Sequence, residues 1–189
     1  PLLRGSLRVD PVNLLITLAR LGLDRSRGVV VFCPGAEYGP AKRWPSRNFA
    51  ELARHFTALG RSVWLLGSNK ERELGDDIVQ IARGAAVNLC GRTDLASAVD
   101  LMSMAELVIS NDSGLMHVAA ALDRPLVALY GSSSPEHTPP MSEHAIIVRR
   151  EDLPCSPCYR RECPLGHFRC LNELSVDQVL REIAAIEHA

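Results

Sequence analysis

The chain has 189 residues and a formal net charge of −1, so no global field draws it to nucleic acid or to anionic lipid. Hydrophobic residues make up 47% and charged residues 23%, the balance of a globular protein with one good core or two small ones. No apolar run approaches the roughly 20 residues that span a bilayer. The first residue is Pro1, with no basic-then-apolar leader; the chain reads as a piece of a longer protein whose N-terminal partner domain lies outside it.

Taken in order, an apolar segment from Val12 to Leu23 predicts a helix ending near Gly22. Val29 to Cys33 reads as a buried strand, followed by a Gly/Pro-rich loop over 34–45. Ser46 is placed to cap a helix with Phe49, Leu52, Ala53, Phe56 and Leu59 on one face, stopped by Gly60. Ser62 to Gly67 is the next strand. Glu71 to Ala82 forms a helix weakened by Gly75, and Ala86 to Cys90 a short strand. Asp94 caps a helix running to Ala105. Leu107 to Ser110 is a strand, Gly114 to Leu122 a helix and Pro125 to Tyr130 a strand. Ala145 to Val148 and Asp177 to Ile186 supply a last strand and a last helix. Strands apolar on both faces, alternating with helices, imply a parallel sheet covered on both sides. The expected fold is therefore α/β, a Rossmann-like doubly wound sheet, with ligands beyond the carboxyl ends of the strands. There is no internal repeat and no G-x-G-x-x-G dinucleotide signature.

Asn111-Asp112-Ser113-Gly114-Leu115-Met116-His117 is the most informative segment. A strand that ends in a small turn and feeds straight into a helix presents unpaired backbone N–H groups, which favour a phosphate. His117, one turn in, either reaches the same anion or bonds a nearby carbonyl. Asp112 is expected to accept backbone hydrogen bonds and hold the turn. In the loop 34–45, Lys42 and Arg43 can set positive charge beside a diphosphate, unless the loop is plain solvated surface. Glu71 stands shortly after a strand end, where a carboxylate accepts from ribose hydroxyls or merely decorates a helix's first turn. Gly131-Ser132-Ser133-Ser134 opens a further loop at the same rim, with hydroxyls for sugar or phosphate.

Of six cysteines, Cys33 and Cys90 sit in apolar runs and are expected to be buried thiols. Cys155, Cys158, Cys163 and Cys170 cluster in a Cys-rich loop over 153–171 that also holds His167. Four thiolates suit tetrahedral zinc, though the spacing is irregular for a zinc ribbon. An iron–sulfur cluster, free reduced thiols and disulfides remain open.

The segments PGAEYGPAKRWP (34–45), SNDSGLMHVAAAL (110–122), YGSSSPEHTPP (130–140) and CSPCYRRECPLGHFRCL (155–171) together resemble the C-terminal domain of the lipopolysaccharide heptosyltransferase II branch of glycosyltransferase family nine. They occur in that family's order across most of the chain. The resemblance implies one half of a GT-B enzyme, residues 1–189 forming the nucleotide-sugar-binding domain. It implies ADP-L-glycero-D-manno-heptose as donor, an inner-core heptose of lipopolysaccharide as acceptor through the absent domain, and inversion at the anomeric carbon. Lys42 then matches the diphosphate-contacting lysine, Glu71 the ribose carboxylate and Thr93 the adenine pocket. Asp112, Ser113, Gly114 and His117 match the diphosphate and sugar contacts. The family's general base belongs to the other domain. The implied location is cytoplasmic, at the inner face of the inner membrane, with any membrane contact peripheral.

In such a transfer negative charge grows on the departing diphosphate, and Lys42, the N–H groups of 113–115 and a protonated His117 are the groups to stabilise it. No Asp-x-Asp pair occurs in the candidate loops, so no metal or other cofactor is expected in the chemistry. Two readings stand beside this one: another nucleotide-sugar transferase of the same architecture, and a non-catalytic metal-binding or interaction module centred on the cysteines. A nicotinamide-dependent oxidoreductase is disfavoured by the missing glycine fingerprint.

Overall fold

The computed structural model describes residues 7–187. Six strands form one all-parallel sheet: β1 (Val29–Cys33), β2 (Ser62–Leu65), β3 (Val87–Asn88), β4 (Ala105–Asn111), β5 (Leu126–Leu129) and β6 (Ala145–Val148). Their order is β3-β2-β1-β4-β5-β6. That is the doubly wound order, in which the winding reverses between β1 and β4 and opens a crevice at their carboxyl ends.

Seven helices complete the described residues: α1 (Pro11–Leu21), α2 (Ser46–Ala58), α3 (Arg72–Ile81), α4 (Leu95–Met102), α5 (Gly114–Ala121), α6 (Arg169–Asn172) and α7 (Val176–Glu187). Successive strand side chains point to opposite faces, so the central strands feed two cores. Val30, Phe32, Leu65 and Ile109 pack with α2, α3 and α7, around Phe49, Leu52, Ile78 and Val179. Val31, Cys33, Trp64 and Val108 pack with α1, α4 and α5, around Leu18, Leu101, Met116 and Ala119.

Local signals explain most boundaries. Asp10 accepts from the N–H groups of Val12 and Asn13, and Gly22 ends α1 in the left-handed conformation. Asp94 caps α4 through the Ser97 N–H at 2.8 Å. Three expectations need correction. Ser46 is the first residue of α2, not its cap; Pro45 holds the cap position with extended backbone and no side-chain bond is made. Leu59 lies past the end of α2, and is 63% exposed, outside the apolar face. α4 stops at Met102 rather than Ala105, because Ala105 already starts β4 beside Val29. Gly75 is required inside α3: a Cβ there would run into the side chain of Asn88. No helix among the described residues is long and apolar enough to cross a membrane.

Candidate functional site

The loop after β1 is built into the fold and is not solvated surface. Trp44 is 1% exposed; its Nε1 donates to the Leu174 carbonyl at 2.8 Å and its backbone N–H to Asn111 Oδ1 at 3.1 Å. Asn111 in turn donates to the Pro34 carbonyl at 2.7 Å. One buried amide thus ties both ends of the β1 loop to the end of β4. The 3-10 turn Pro40–Lys42 then delivers Lys42 to the residue after β4. Its ammonium donates to Asp112 Oδ2 at 2.6 Å.

Asp112 is 4% exposed and is the hub of this region. The same Oδ2 also accepts from Ser133 Oγ at 2.5 Å and Thr138 Oγ1 at 3.1 Å. It therefore organises side-chain donors from the loop after β5, where backbone donors were expected. Ser133 and Thr138 point inward onto Asp112, so these hydroxyls brace the site from behind. Burial, and then the Asp112 charge, push the Tyr130 hydroxyl well above the ordinary phenol range; it donates to the Thr138 carbonyl at 2.5 Å. An ammonium carries three donors, so pairing with one carboxylate oxygen leaves Lys42 able to donate to an anion as well.

Helix α5 opens beside this pair. Ser113 has extended backbone and makes no side-chain bond to the first turn. The space above Gly114 is open, with no atom from beyond its own turn of helix within 4 Å of where a Cβ would stand. Ser113, Gly114, Leu115 and Val118 form one wall of a cavity of about 440 Å³ in the crevice. Gly35, Ser68 and Glu71 face them, and Thr93, Asp94 and Leu95 close the far side. Glu71 is 6% exposed. It ends the 3-10 turn Asn69–Glu71 and completes a capping box, accepting from the Ser68 N–H at 2.8 Å and from its hydroxyl. A Cβ on Gly35 would collide with the Glu71 side chain, so glycine there lets the carboxylate reach the cavity.

Of the residues singled out in the sequence, Glu71, Thr93, Ser113 and Gly114 line the cavity together. Lys42 and Asp112 form the pair behind the α5 terminus. His117 stands apart. It is exposed on α5, is not in the cavity wall, and bonds no carbonyl among the described residues. Arg43 turns away, its guanidinium donating to the Ala36 carbonyl at 3.3 Å. Sequence reasoning missed the roles of Asn111, Ser133 and Thr138. Their signal was weak: one more polar residue at a strand end, and hydroxyls in a loop.

The cysteines divide as their surroundings dictate. Burial holds the Cys33 thiol far above its ordinary range and, with Glu71 and Asp76 adding, pushes Cys90 up to about 12. Cys155, Cys158, Cys163 and Cys170 are free thiols lining a narrow cavity of about 20 Å³. Among the described residues, no three His, Cys, Asp or Glu side chains converge as a metal site; of the readings left open by the sequence, the four cysteines adopt that of free thiols. Cys163 differs from the rest. Burial opposes its ionisation, but the backbone N–H groups of Phe168, Leu165, His167 and Gly166 outweigh it and lower its pKa.

A parallel sheet wound in this order, with an open helix N-terminus fronting a cavity at its carboxyl rim, defines a Rossmann-like α/β domain of the kind that receives phosphate-bearing ligands there. The chain belongs to glycosyltransferase family 9 (heptosyltransferase), which it matches over residues 5–169. It is 46% identical to lipooligosaccharide heptosyltransferase 2 of Haemophilus influenzae over 97% of this chain and 55% of that protein. It is likewise 46% identical to lipopolysaccharide heptosyltransferase 2 of Salmonella typhimurium over 98% of this chain and 54% of the relative. The solved structure of E. coli ADP-heptose LPS heptosyltransferase II superposes with a TM-score of 0.85 at 40% identity, covering 100% of this chain and 56% of that one. The chain thus spans about half the length of the relatives it matches.

Proposed function

We propose that this chain is the donor-binding, C-terminal half of a two-domain GT-B heptosyltransferase that moves L-glycero-D-manno-heptose from ADP-heptose to an inner-core heptose of lipopolysaccharide, with inversion. The observation that carries the reading is the uncapped N-terminus of α5, open above Gly114, set between the Lys42–Asp112 pair and a cavity walled by Glu71. Relatives 46% identical are heptosyltransferases acting on lipopolysaccharide or lipooligosaccharide, and the E. coli structure's name supplies ADP-heptose as the donor.

In this reading the diphosphate lies across the first turn of α5. The N–H groups of residues 113–115 and the Lys42 ammonium meet the charge that grows as the glycosidic bond lengthens. Glu71 takes the ribose hydroxyls, and Thr93 borders the base. Asp112 holds Lys42 in place. His117, being exposed, contributes only if the other domain brings the sugar over it. The general base belongs to that domain, as does the acceptor site. No metal and no other cofactor is assigned a part in the transfer; the chain needs positive charge at the diphosphate, and Lys42 and the helix provide it. The reaction takes place on the cytoplasmic side, where the sugar nucleotide and the growing core meet.

Calorimetric titration of the two-domain protein with ADP and with UDP tests the donor assignment. ADP is expected to bind at least about tenfold more tightly, the scale of one set of charged or shape-dependent contacts. Equal binding of UDP would point to a transferase with another sugar nucleotide, and binding of neither would remove the nucleotide site.

A further inference from the structure

The Cys-rich segment takes no part in the mechanism above, yet its crown, Tyr159 to Arg161, is laid directly over the loop that carries Lys42. The Arg161 carbonyl accepts from the Ala41 N–H at 3.0 Å, one residue before the lysine. The Tyr159 carbonyl accepts from Tyr38 Oη at 2.7 Å. The Tyr159 N–H donates to the Ser132 carbonyl at 2.6 Å, and the Ser132 N–H to the Ala41 carbonyl at 3.3 Å. The crown therefore clamps the β1 loop and the β5 loop to each other. The β1 loop carries Lys42, and the β5 loop carries Ser133 and Thr138, which bond the Asp112 carboxylate that Lys42 meets.

The side chains repeat the arrangement. The Lys42 ammonium stands 5.0 Å from the centroid of the Tyr38 ring, and the Arg161 guanidinium 5.5 Å from the same centroid. Gly39 lies where a Cβ would strike the Arg161 carbonyl, so the close approach of crown and loop leaves room only for glycine. Tyr159 itself adopts a φ of 53°, a left-handed conformation that bulky residues avoid unless their surroundings impose it. A lysine has a long, freely rotating stem, and one carboxylate contact alone does not fix its direction. The ring beneath it supplies a second contact.

From this we infer that Tyr38 and Arg161 are positioning residues for Lys42, and that the crown 159–161 is the strap that sets them. The inference rests on the role proposed for Lys42. The strap acts through the lysine and touches neither donor nor acceptor. A change in Tyr38 or Arg161 must then be felt in turnover only while Lys42 is present.

The test is a double-mutant cycle in the two-domain protein, with steady-state kinetics on the nucleotide-heptose donor and a melting curve for each variant. Tyr38→Leu is expected to lower kcat by about fivefold to tenfold in the presence of Lys42, and by less than about twofold on a Lys42→Ala background. Tyr38→Phe keeps the ring and is expected to recover most of that loss. Arg161→Gln removes an exposed side chain and is expected to give a smaller loss of the same kind, which keeps the test open should Tyr38→Leu fail to fold. Losses of equal size with and without Lys42, or no loss at all in Tyr38→Leu and Arg161→Gln, overturn the positioning role while leaving the donor site intact. If Lys42→Ala itself leaves turnover unchanged, the role proposed for the lysine is wrong and the strap inference falls with it.

Discussion

Asp112 shows how much of this site depends on single atoms. One carboxylate oxygen, 4% exposed as part of its residue, receives an ammonium and two hydroxyls. Breaking a buried ion pair from one side leaves an uncompensated charge and is costly, often about 3–5 kcal/mol. Lys42→Ala should therefore lower the melting temperature markedly, because it leaves the Asp112 carboxylate, 4% exposed, with hydroxyl donors only, while Asp112→Asn, which removes that charge and leaves a lysine 13% exposed, should lower it less. Turnover in the two-domain protein should fall about tenfold or more in Lys42→Ala, the scale of a lost charged hydrogen bond; unchanged donor affinity and turnover would refute the assignment. Thiol chemistry offers a second residue-level check. The lowered pKa of Cys163 means that its thiolate fraction, and so its alkylation rate, rises and levels off at lower pH than for an ordinary thiol. Iodoacetamide near neutral pH should label Cys163 before Cys170, which burial and the neighbouring thiols hold up. Cys33 and Cys90 should react only after unfolding. Glu71 and the Asn111–Gly114 turn stood out in the sequence because each follows a strand closely, and Lys42 because it is a basic residue in the Gly/Pro-rich loop after β1. Ser133 and Thr138 were not, since nothing local says that a hydroxyl in one loop will face a carboxylate in another.

At the scale of elements, two glycines inside helices call for opposite predictions. Gly→Ala in a helix usually stabilises, by about 0.8–1.0 kcal/mol. In α3 the sign should reverse. A methyl on Gly75 displaces the Asn88 amide, which bonds the Arg72 carbonyl at 2.9 Å, Asp76 at 2.7 Å and the Cys90 N–H at 3.0 Å. Gly75→Ala should melt earlier than the parent. Gly114→Ala should not, because the space around it is open; it should instead weaken ADP binding about tenfold or more by filling the place of the diphosphate. A Gly114→Ala variant with parental ADP affinity would argue that the anion does not lie on α5. The start of α4 was legible because Asp94 reaches its first turn; Asp10 caps α1 in the same way, but the apolar run from Val12 alone did not point to it. Ser46 misled because Pro45, with its restricted φ, already supplies the extended residue before α2. Leu59 misled because helical periodicity does not say where a helix stops, and α2 ends one residue earlier.

For the whole molecule, the strand order decides where everything else goes. With β1 and β4 adjacent at the centre, the loops after them meet, and Lys42 reaches Asp112 across 70 residues of sequence. The apolar strand runs and intervening helices made the parallel α/β fold readable in advance, since strands buried on both faces need helices on both sides. If the crevice is the nucleotide site, ADP at about 100 times its dissociation constant should stabilise the two-domain protein by about 2.7 kcal/mol, read as a rise in melting temperature that UDP does not match. The absence of any ADP-dependent shift would contradict the site. Chelation by EDTA should leave turnover unchanged, because the charge on the diphosphate is met by Lys42 and α5; a collapse of activity restored by Mg²⁺ would overturn that account.

The sequence by itself determined the alternating elements, the phosphate-suited turn at Asn111–Gly114 and the likeness to family-nine transferases, because these depend on local periodicity, on turn chemistry and on contiguous motifs. Only the tertiary structure decided which polar groups meet. It put Ser133 and Thr138 behind Asp112, turned Arg43 away from the cavity onto the Ala36 carbonyl, left His117 outside the cavity wall and laid Tyr159–Arg161 over the lysine loop. Those outcomes depend on the packing of segments far apart in the chain, and a hydrogen bond between distant segments leaves no trace in the spacing of either one.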